Sequence, residues 1–208
     1  MSMNILNISP SFENTERDSQ IIFRQVLNSF SRPAVPFEIS PRVKSSKTDS
    51  ARVGTSLLLA LMDTGSSLHL LLKEHDNNLA DFLKFHTGCR IASGPEQANY
   101  IWVQSSERLP SLMECALGSA EFPEASSTLI IDVEGFKIDA NSSNHSPWTG
   151  PGINGELYIE IMGLNDQFWS DRKNIRPLFP CGVDVIFCSP THIVSLPRST
   201  RIGEAACM

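Results

Sequence analysis

Val183-Asp184-Val185-Ile186-Phe187-Cys188-Ser189-Pro190-Thr191-His192-Ile193-Val194-Ser195-Leu196 is the stretch that decides the fold. Two runs rich in β-branched and aromatic residues, Val183 to Phe187 and His192 to Leu196, flank the turn-forming Cys188-Ser189-Pro190-Thr191. That pattern predicts a β-hairpin. Upstream of it, Leu68 to Leu72, Tyr100 to Val103, Thr128 to Val133 and Leu157 to Met162 also read as strands. Helical signals alternate with them. Ile22, Phe23, Val26, Leu27 and Phe30 repeat at helical spacing, between a cap at Asp18 or Ser19 and a stop at Pro33. Ala51 to Met62 is apolar around most of its circumference, which predicts a central helix ending in a turn at Asp63 to Ser67. A third helix fits Asn78 to His86, with Gly88 as its C-cap. Weaker helical patterns cover Leu109 to Leu117 and Asp166 to Lys173. Helices and strands alternating before a closing hairpin predict an α/β protein, layered α/β/α, with a mixed sheet.

The totals fit that reading. The chain has 208 residues, 41% hydrophobic and 19% charged, which predicts one domain over 1–208. The tail 1–15 and the polar loop 40–50 are expected to be mobile. A formal charge of −6 argues against a basic nucleic-acid footprint. Arg42, Lys44, Lys47 and Arg52 cluster loosely, but serines interrupt them and they read as a solvated loop. The longest apolar run, Leu57 to Met62, is far too short to span a membrane, and the N-terminus shows no secretory pattern. Cys89, Cys115, Cys181, Cys188 and Cys207 form an odd set without a Cys-x-x-Cys pair, which fits reduced thiols in a cytoplasmic protein.

No catalytic constellation stands out. Gly150-Pro151-Gly152-Ile153-Asn154-Gly155 matches G-x-G-x-x-G, but a Ser/Asn/Pro loop precedes it and a strand follows. A dinucleotide site needs a strand before and a helix after, with free N–H groups toward the pyrophosphate. A tight turn at Gly150 and Gly152 is the better reading. A pyridoxal-phosphate enzyme would need a Schiff-base lysine beside a phosphate cup, and Lys73, Lys84 and Lys137 lie in no such context. His69, His75, His86, His145 and His192 include no i, i+4 pair, so no metal is expected. His86 ends an amphipathic helix, where a cation is stabilised by the macrodipole or can meet a ligand or partner. Arg198, between Pro197 and the hydroxyls of Ser199 and Thr200, can hold an anion or a partner carboxylate, or can be a solvated strand end. Arg32 before Pro33 carries the same alternatives. Cys181 before Gly182 reads as a small buried hydrophobe rather than a reactive thiolate.

Five short strings remain: Phe30-Ser31-Arg32-Pro33, Leu83-Lys84-Phe85-His86-Thr87, Pro95-Glu96-Gln97-Ala98, Thr149-Gly150-Pro151-Gly152-Ile153 and Leu196-Pro197-Arg198-Ser199-Thr200. With Phe122-Pro123-Glu124 and Phe179-Pro180-Cys181-Gly182-Val183-Asp184, their order resembles the PhnH family of phosphonate metabolism, from near Ser19 to Thr200. The resemblance implies a fold like that of pyridoxal-phosphate transferases without the cofactor site, so no cofactor. It implies a homodimer that works with PhnG-, PhnI- and PhnJ-like subunits in the carbon–phosphorus lyase core complex. That complex attaches a phosphonate to the ribose of a nucleoside triphosphate, releasing the base, and later breaks the carbon–phosphorus bond. The family's recurring loop positions fall on Arg32, Pro33, His86, Thr87, Gly150, Gly152, Asp184, Pro197 and Arg198. Three positions depart from the family pattern: Ala34 and Ser126 stand where glycine is common, and Cys181 where an aliphatic residue is usual.

Two functions follow. The first is a non-catalytic subunit of a phosphonate-processing complex. The alternative is a stand-alone phosphate- or phosphonate-binding protein or enzyme, using Arg198, Thr200 and His86.

Overall fold

The computed structural model of the chain describes residues 11–43, 49–73, 77–138 and 146–203. Parts of the 1–15 tail and the 40–50 loop, and most of the Asn/Ser loop near 140, lie outside the described residues. So do His75, His145, Lys44, Lys47 and Cys207.

The first helix, α1, runs Thr15–Ser31. Its cap is Asn14 rather than Asp18 or Ser19. Asn14 Oδ1 accepts the Arg17 N–H at 2.9 Å, and Asp18 Oδ2 accepts the Asn14 N–H at 3.1 Å. This reciprocal arrangement satisfies two free donors and draws the start four residues upstream. Phe12, just before it, is buried. The other helices are α2 (Asp49–Leu61), α3 (Asn77–Thr87) and α4 (Asp166–Ile175). The Gly88 N–H closes α3 on the Lys84 carbonyl at 2.9 Å.

The strands, in chain order, are β1 (Phe37–Glu38), β2 (Ser67–Leu71), β3 (Arg90–Ile91), β4 (Tyr100–Val103), β5 (Thr128–Asp132), β6 (Gly135–Ile138), β7 (Trp148–Thr149), β8 (Ile159–Met162), β9 (Asp184–Cys188), β10 (His192–Leu196) and β11 (Arg201–Ile202). Seven of them form one mixed sheet in the order β1-β10-β9-β5-β4-β2-β3. Strands β3, β2, β4, β5 and β9 are parallel, while β10 and β1 add antiparallel. The predicted hairpin is present, with Leu196 opposite Val185 and Ile193 opposite Cys188. Two small antiparallel pairs, β6–β8 and β7–β11, stand apart from the main sheet.

The central strands are apolar on both faces because both faces are covered. Trp102, Ile130, Ile186 and Ile193 point toward Ile22, Val26, Val53, Leu57 and Leu83 of α1, α2 and α3. Ile101, Leu129, Val185, Phe187 and Val194 point the other way, onto Phe168 and Ile175 of α4 and Ile159 and Ile161 of β8. The period-2 alternation of each strand therefore feeds two separate cores. This is the α/β/α layering expected from the sequence.

One expected helix is absent. Leu109 to Leu117 forms only a single 3₁₀ turn, Leu112–Glu114. The Leu112 N–H donates to Asp171 Oδ2 at 2.9 Å, and the Ala116 N–H to the Ser127 hydroxyl at 3.2 Å. The Ser127 N–H returns to the Ala116 carbonyl at 2.7 Å. Partners distant in sequence thus take the backbone groups that a helix would pair four residues apart.

Candidate functional site

Three of the five strings converge where the parallel strands begin. A cleft of about 430 Å³ has Phe30 and Ser31 from the end of α1 on one side. Pro151 and Gly152 form a second wall, and Asp184, Pro197, Arg198 and Ser199 complete it. Asp184 opens β9, and β10 ends antiparallel to it, so the cleft lies at the amino ends of the strands. Open α/β sheets more often bind small ligands at the carboxyl ends.

Backbone close approach explains the glycines here. The Gly150–Ile153 turn follows β7, with the Ile153 N–H on the Gly150 carbonyl at 3.1 Å. Strand β7 is paired to β11, which ties this turn to the segment after Pro197. Gly152 has φ +81°, and a Cβ there would run into the Ser31 carbonyl oxygen and lie 3.0 Å from the Pro33 ring. Gly150 has φ +133°, with the Ser199 carbonyl 3.3 Å from its Cβ position. Both glycines are therefore packing devices that let α1, the turn and the final loop meet. A helix does not follow the turn, so the G-x-G-x-x-G match builds no phosphate cradle.

Arg198 is already paired. Its backbone N–H donates to Asp184 Oδ1 at 2.7 Å, its Nε to Oδ2 at 3.1 Å, and its Nη2 to Oδ2 at 2.5 Å. Nη1 donates to the Pro123 carbonyl. The two side chains are about one-fifth exposed, 19% and 20%. An anion in the cleft would have to compete with this bidentate, partly desolvated carboxylate. The other expected groups divide. Thr200 is buried, and its hydroxyl has no hydrogen-bond partner among the described residues. The Arg32 guanidinium stacks 4.6 Å from the centre of the Phe37 ring, a cation–π contact just beyond the end of α1. His86 is not part of the cleft. It sits on α3 edge-on to Phe82 and Phe85, 4.6 and 5.1 Å between ring centres. That helix packs on β3, at the opposite edge of the sheet from β10 and β1.

The residue that sequence reasoning missed is Arg172. It lies on α4 between Phe168 and Ile175 on the buried stripe, a spacing that was its only signal. Its Nη1 donates to the Val183 carbonyl at 2.8 Å and its Nη2 to the Pro197 carbonyl at 2.6 Å. Those carbonyls immediately precede Asp184 and Arg198, so one buried guanidinium positions both halves of the pair. Burial pushes Arg172 down to about 10; Asp184 resists the shift, and the charges of Arg176 and Arg198 add to it.

A second buried charge was also unforeseen. Asp132, at the far end of β5, accepts the Trp102 indole N–H at 2.8 Å and the Cys188 thiol at 3.1 Å. Burial raises its carboxyl above the ordinary value, partly offset by those donors and by Lys73. Burial, then the charge of Asp132, raises Cys188, and burial with Glu114 and Asp171 pushes Cys115 up to about 12. Neither thiol is poised as a nucleophile. Lys84 and Lys137 lie outside the cleft, on α3 and on β6, where Lys137 pairs with Glu160. Lys73 follows β2 at the carboxyl end of the sheet. Among the described residues, no group of three His, Cys, Asp or Glu is arranged to hold a metal ion, and no helix is long and apolar enough to cross a membrane.

Comparison with known proteins adds a family. The model of the bacterial phosphonate metabolism protein PhnH matches residues 10–203. The alpha-D-ribose 1-methylphosphonate 5-triphosphate synthase subunit PhnH of Rhizobium meliloti (strain 1021) is 25% identical over 197 residues, covering 93% of this chain and 94% of that protein. The putative C-P lyase subunit protein HtxG of Stutzerimonas stutzeri is 29% identical over 184 residues, covering 88% and 85%.

Proposed function

The chain belongs to the PhnH family, and from that premise we propose that it is a subunit of the carbon–phosphorus lyase core complex in phosphonate catabolism. It assists the nucleotide-dependent transfer that joins an alkylphosphonate to ribose and releases the base, and it catalyses no step alone. The observation that carries this reading is the near full-length match to a protein named as a synthase subunit. The geometry agrees with it. The charged groups of the cleft, Asp184 and Arg198, are engaged with each other rather than held ready for a reacting atom. Its partners are PhnG-, PhnI- and PhnJ-like subunits in the cytoplasm, and alone it forms a homodimer.

Co-expression with those candidate partners, followed by affinity capture and light scattering, tests the proposal. Stoichiometric co-elution is expected, together with loss of ribosyl transfer when the chain is omitted from the reconstituted mixture. A chain that captures none of them, and whose omission leaves turnover unchanged, would overturn it.

A further inference from the structure

The buried Arg172 lies behind the Arg198–Asp184 pair, within electrostatic reach of Asp184, Arg198 and Arg176. Arg172 and Arg198 direct their Nη groups inward, to backbone carbonyls and to Asp184. Arg176 begins the 3₁₀ turn after α4, and its Nε is buried without a hydrogen-bond partner among the described residues. Its guanidinium lies 5.6 Å from the centre of the Phe179 ring. Beside it, Leu178 is 42% exposed and Phe179 52% exposed, both large apolar side chains in water.

The turn that carries them is fixed. The Phe179 N–H donates to the Arg176 carbonyl at 3.3 Å, Cys181 to Leu178 at 2.9 Å, and Gly182 to Leu117 at 2.8 Å. A cation, an aromatic ring and an aliphatic side chain held on a pre-formed turn are the composition of an interface anchor. None of the three lines the cleft. A chain segment gains from all three groups at once.

We propose that the Arg176–Leu178–Phe179 corner docks a partner subunit that offers a carboxylate flanked by apolar side chains. This surface rests on the reading of the chain as a complex subunit, and it is separate from the cleft. The Arg176 cation, stacked on Phe179 and with its Nε lacking a hydrogen-bond partner among the described residues, favours an acidic partner over a basic one.

The test is capture of the co-expressed candidate partners by full-length wild type, Arg176→Glu, Arg176→Lys and Phe179→Ala, with Phe23→Ala on α1 as an exposed apolar control. Capture is expected to weaken roughly tenfold or more for Arg176→Glu and Phe179→Ala, to survive largely in Arg176→Lys, and to be unchanged in Phe23→Ala. Melting temperatures identify a misfolded variant. If Arg176→Glu fails to fold, the exposed Phe179→Ala decides alone. Wild-type capture with equal capture by both variants overturns this surface and leaves the subunit reading standing. A wild type that captures nothing overturns both. If Arg176→Glu instead turns a homodimer into a monomer with partner capture intact, a second copy of this chain occupies the corner and the assignment to an acidic partner is wrong.

Discussion

Asp184 holds Arg198 at two levels, accepting its backbone N–H at 2.7 Å and its guanidinium at 2.5 Å. The backbone contact fixes where the loop after β10 leaves the sheet. The side-chain contact fixes where the guanidinium points. Arg172 adds a third constraint from α4 by holding the carbonyls one residue before each partner. The pair therefore reads as a clasp joining the first residue of β9 to the loop after β10, with the cleft formed against it.

A clasp predicts mutual dependence. Asp184→Ala and Arg198→Ala should each destabilise the protein, and a double-mutant cycle should return a coupling of about 1–2 kcal/mol, reduced from a fully buried pair by the one-fifth exposure. Denaturant unfolding measures it. Additive single effects would mean that each side chain acts independently.

The same pairing predicts how the cleft meets small anions. Inorganic phosphate or methylphosphonate at millimolar concentration should leave the melting temperature of the isolated chain unchanged, because Arg198 is already saturated by Asp184 and the Pro123 carbonyl. A rise that Arg198→Ala abolishes would revive the stand-alone anion-binding alternative. A rise that persists in Arg198→Ala would direct attention to Arg32.

Ala34 gives a prediction in the stabilising direction. It stands where the family resemblance expects glycine, and its φ is +65°. Left-handed backbone costs an L-residue with a Cβ roughly 1–2 kcal/mol, while glycine loses about 0.5–1 kcal/mol through its freer unfolded chain. Ala34→Gly should therefore raise stability by about 0.5–1 kcal/mol in thermal or chemical unfolding. A loss would show that the buried Cβ contributes more in packing than the backbone strain removes.

Gly152→Ala should act oppositely, because positive φ and a collision with the Ser31 carbonyl occur together. Gly155 provides the control, with φ +74° and nothing within 4 Å of its Cβ position. Gly155→Ala should cost about 1 kcal/mol, and Gly152→Ala clearly more. Equal costs would remove the close-approach account of the turn.

The fold was readable wherever one local pattern carried it. Strands β4, β5 and β9 show as apolar, β-branched runs because both their faces are buried, and α1 shows through its repeat. The segment 109–117 misled for the same reason. Leu112 and Cys115 are buried at helix-like spacing, yet the Leu112 N–H goes to Asp171 and the Ala116 backbone pairs with Ser127, just before β5. The cleft was legible as three separate loops, since Pro and Gly punctuate each. Their convergence depends on the β9–β10 register and on β7 pairing with β11, which no local window contains. Arg172 stayed hidden because a charged residue on an apolar stripe is ordinarily a boundary, and only tertiary carbonyls explain its place.

Two aspartates predict opposite pH signatures. Asp171 is buried, which opposes its charge, but donors from Ser111, Gln167 and the Leu112 N–H outweigh burial and hold its carboxyl below the ordinary value. A depressed folded pKa means that the unfolded chain binds the proton more readily. Its stabilisation is therefore present above about pH 4 and is lost as pH falls through the lower folded value. Asp132 works the other way, since burial raises its folded pKa above the unfolded one. Its contribution is present below about pH 4 and is lost as pH rises through the folded value. Unfolding free energies of Asp171→Asn and Asp132→Asn between about pH 3 and 7 separate the two. The deficit of Asp171→Asn relative to wild type should grow with rising pH, whereas Asp132→Asn should become more favourable relative to wild type over the same range. Differences from wild type that do not vary with pH would mean that neither carboxylate changes its proton affinity on folding.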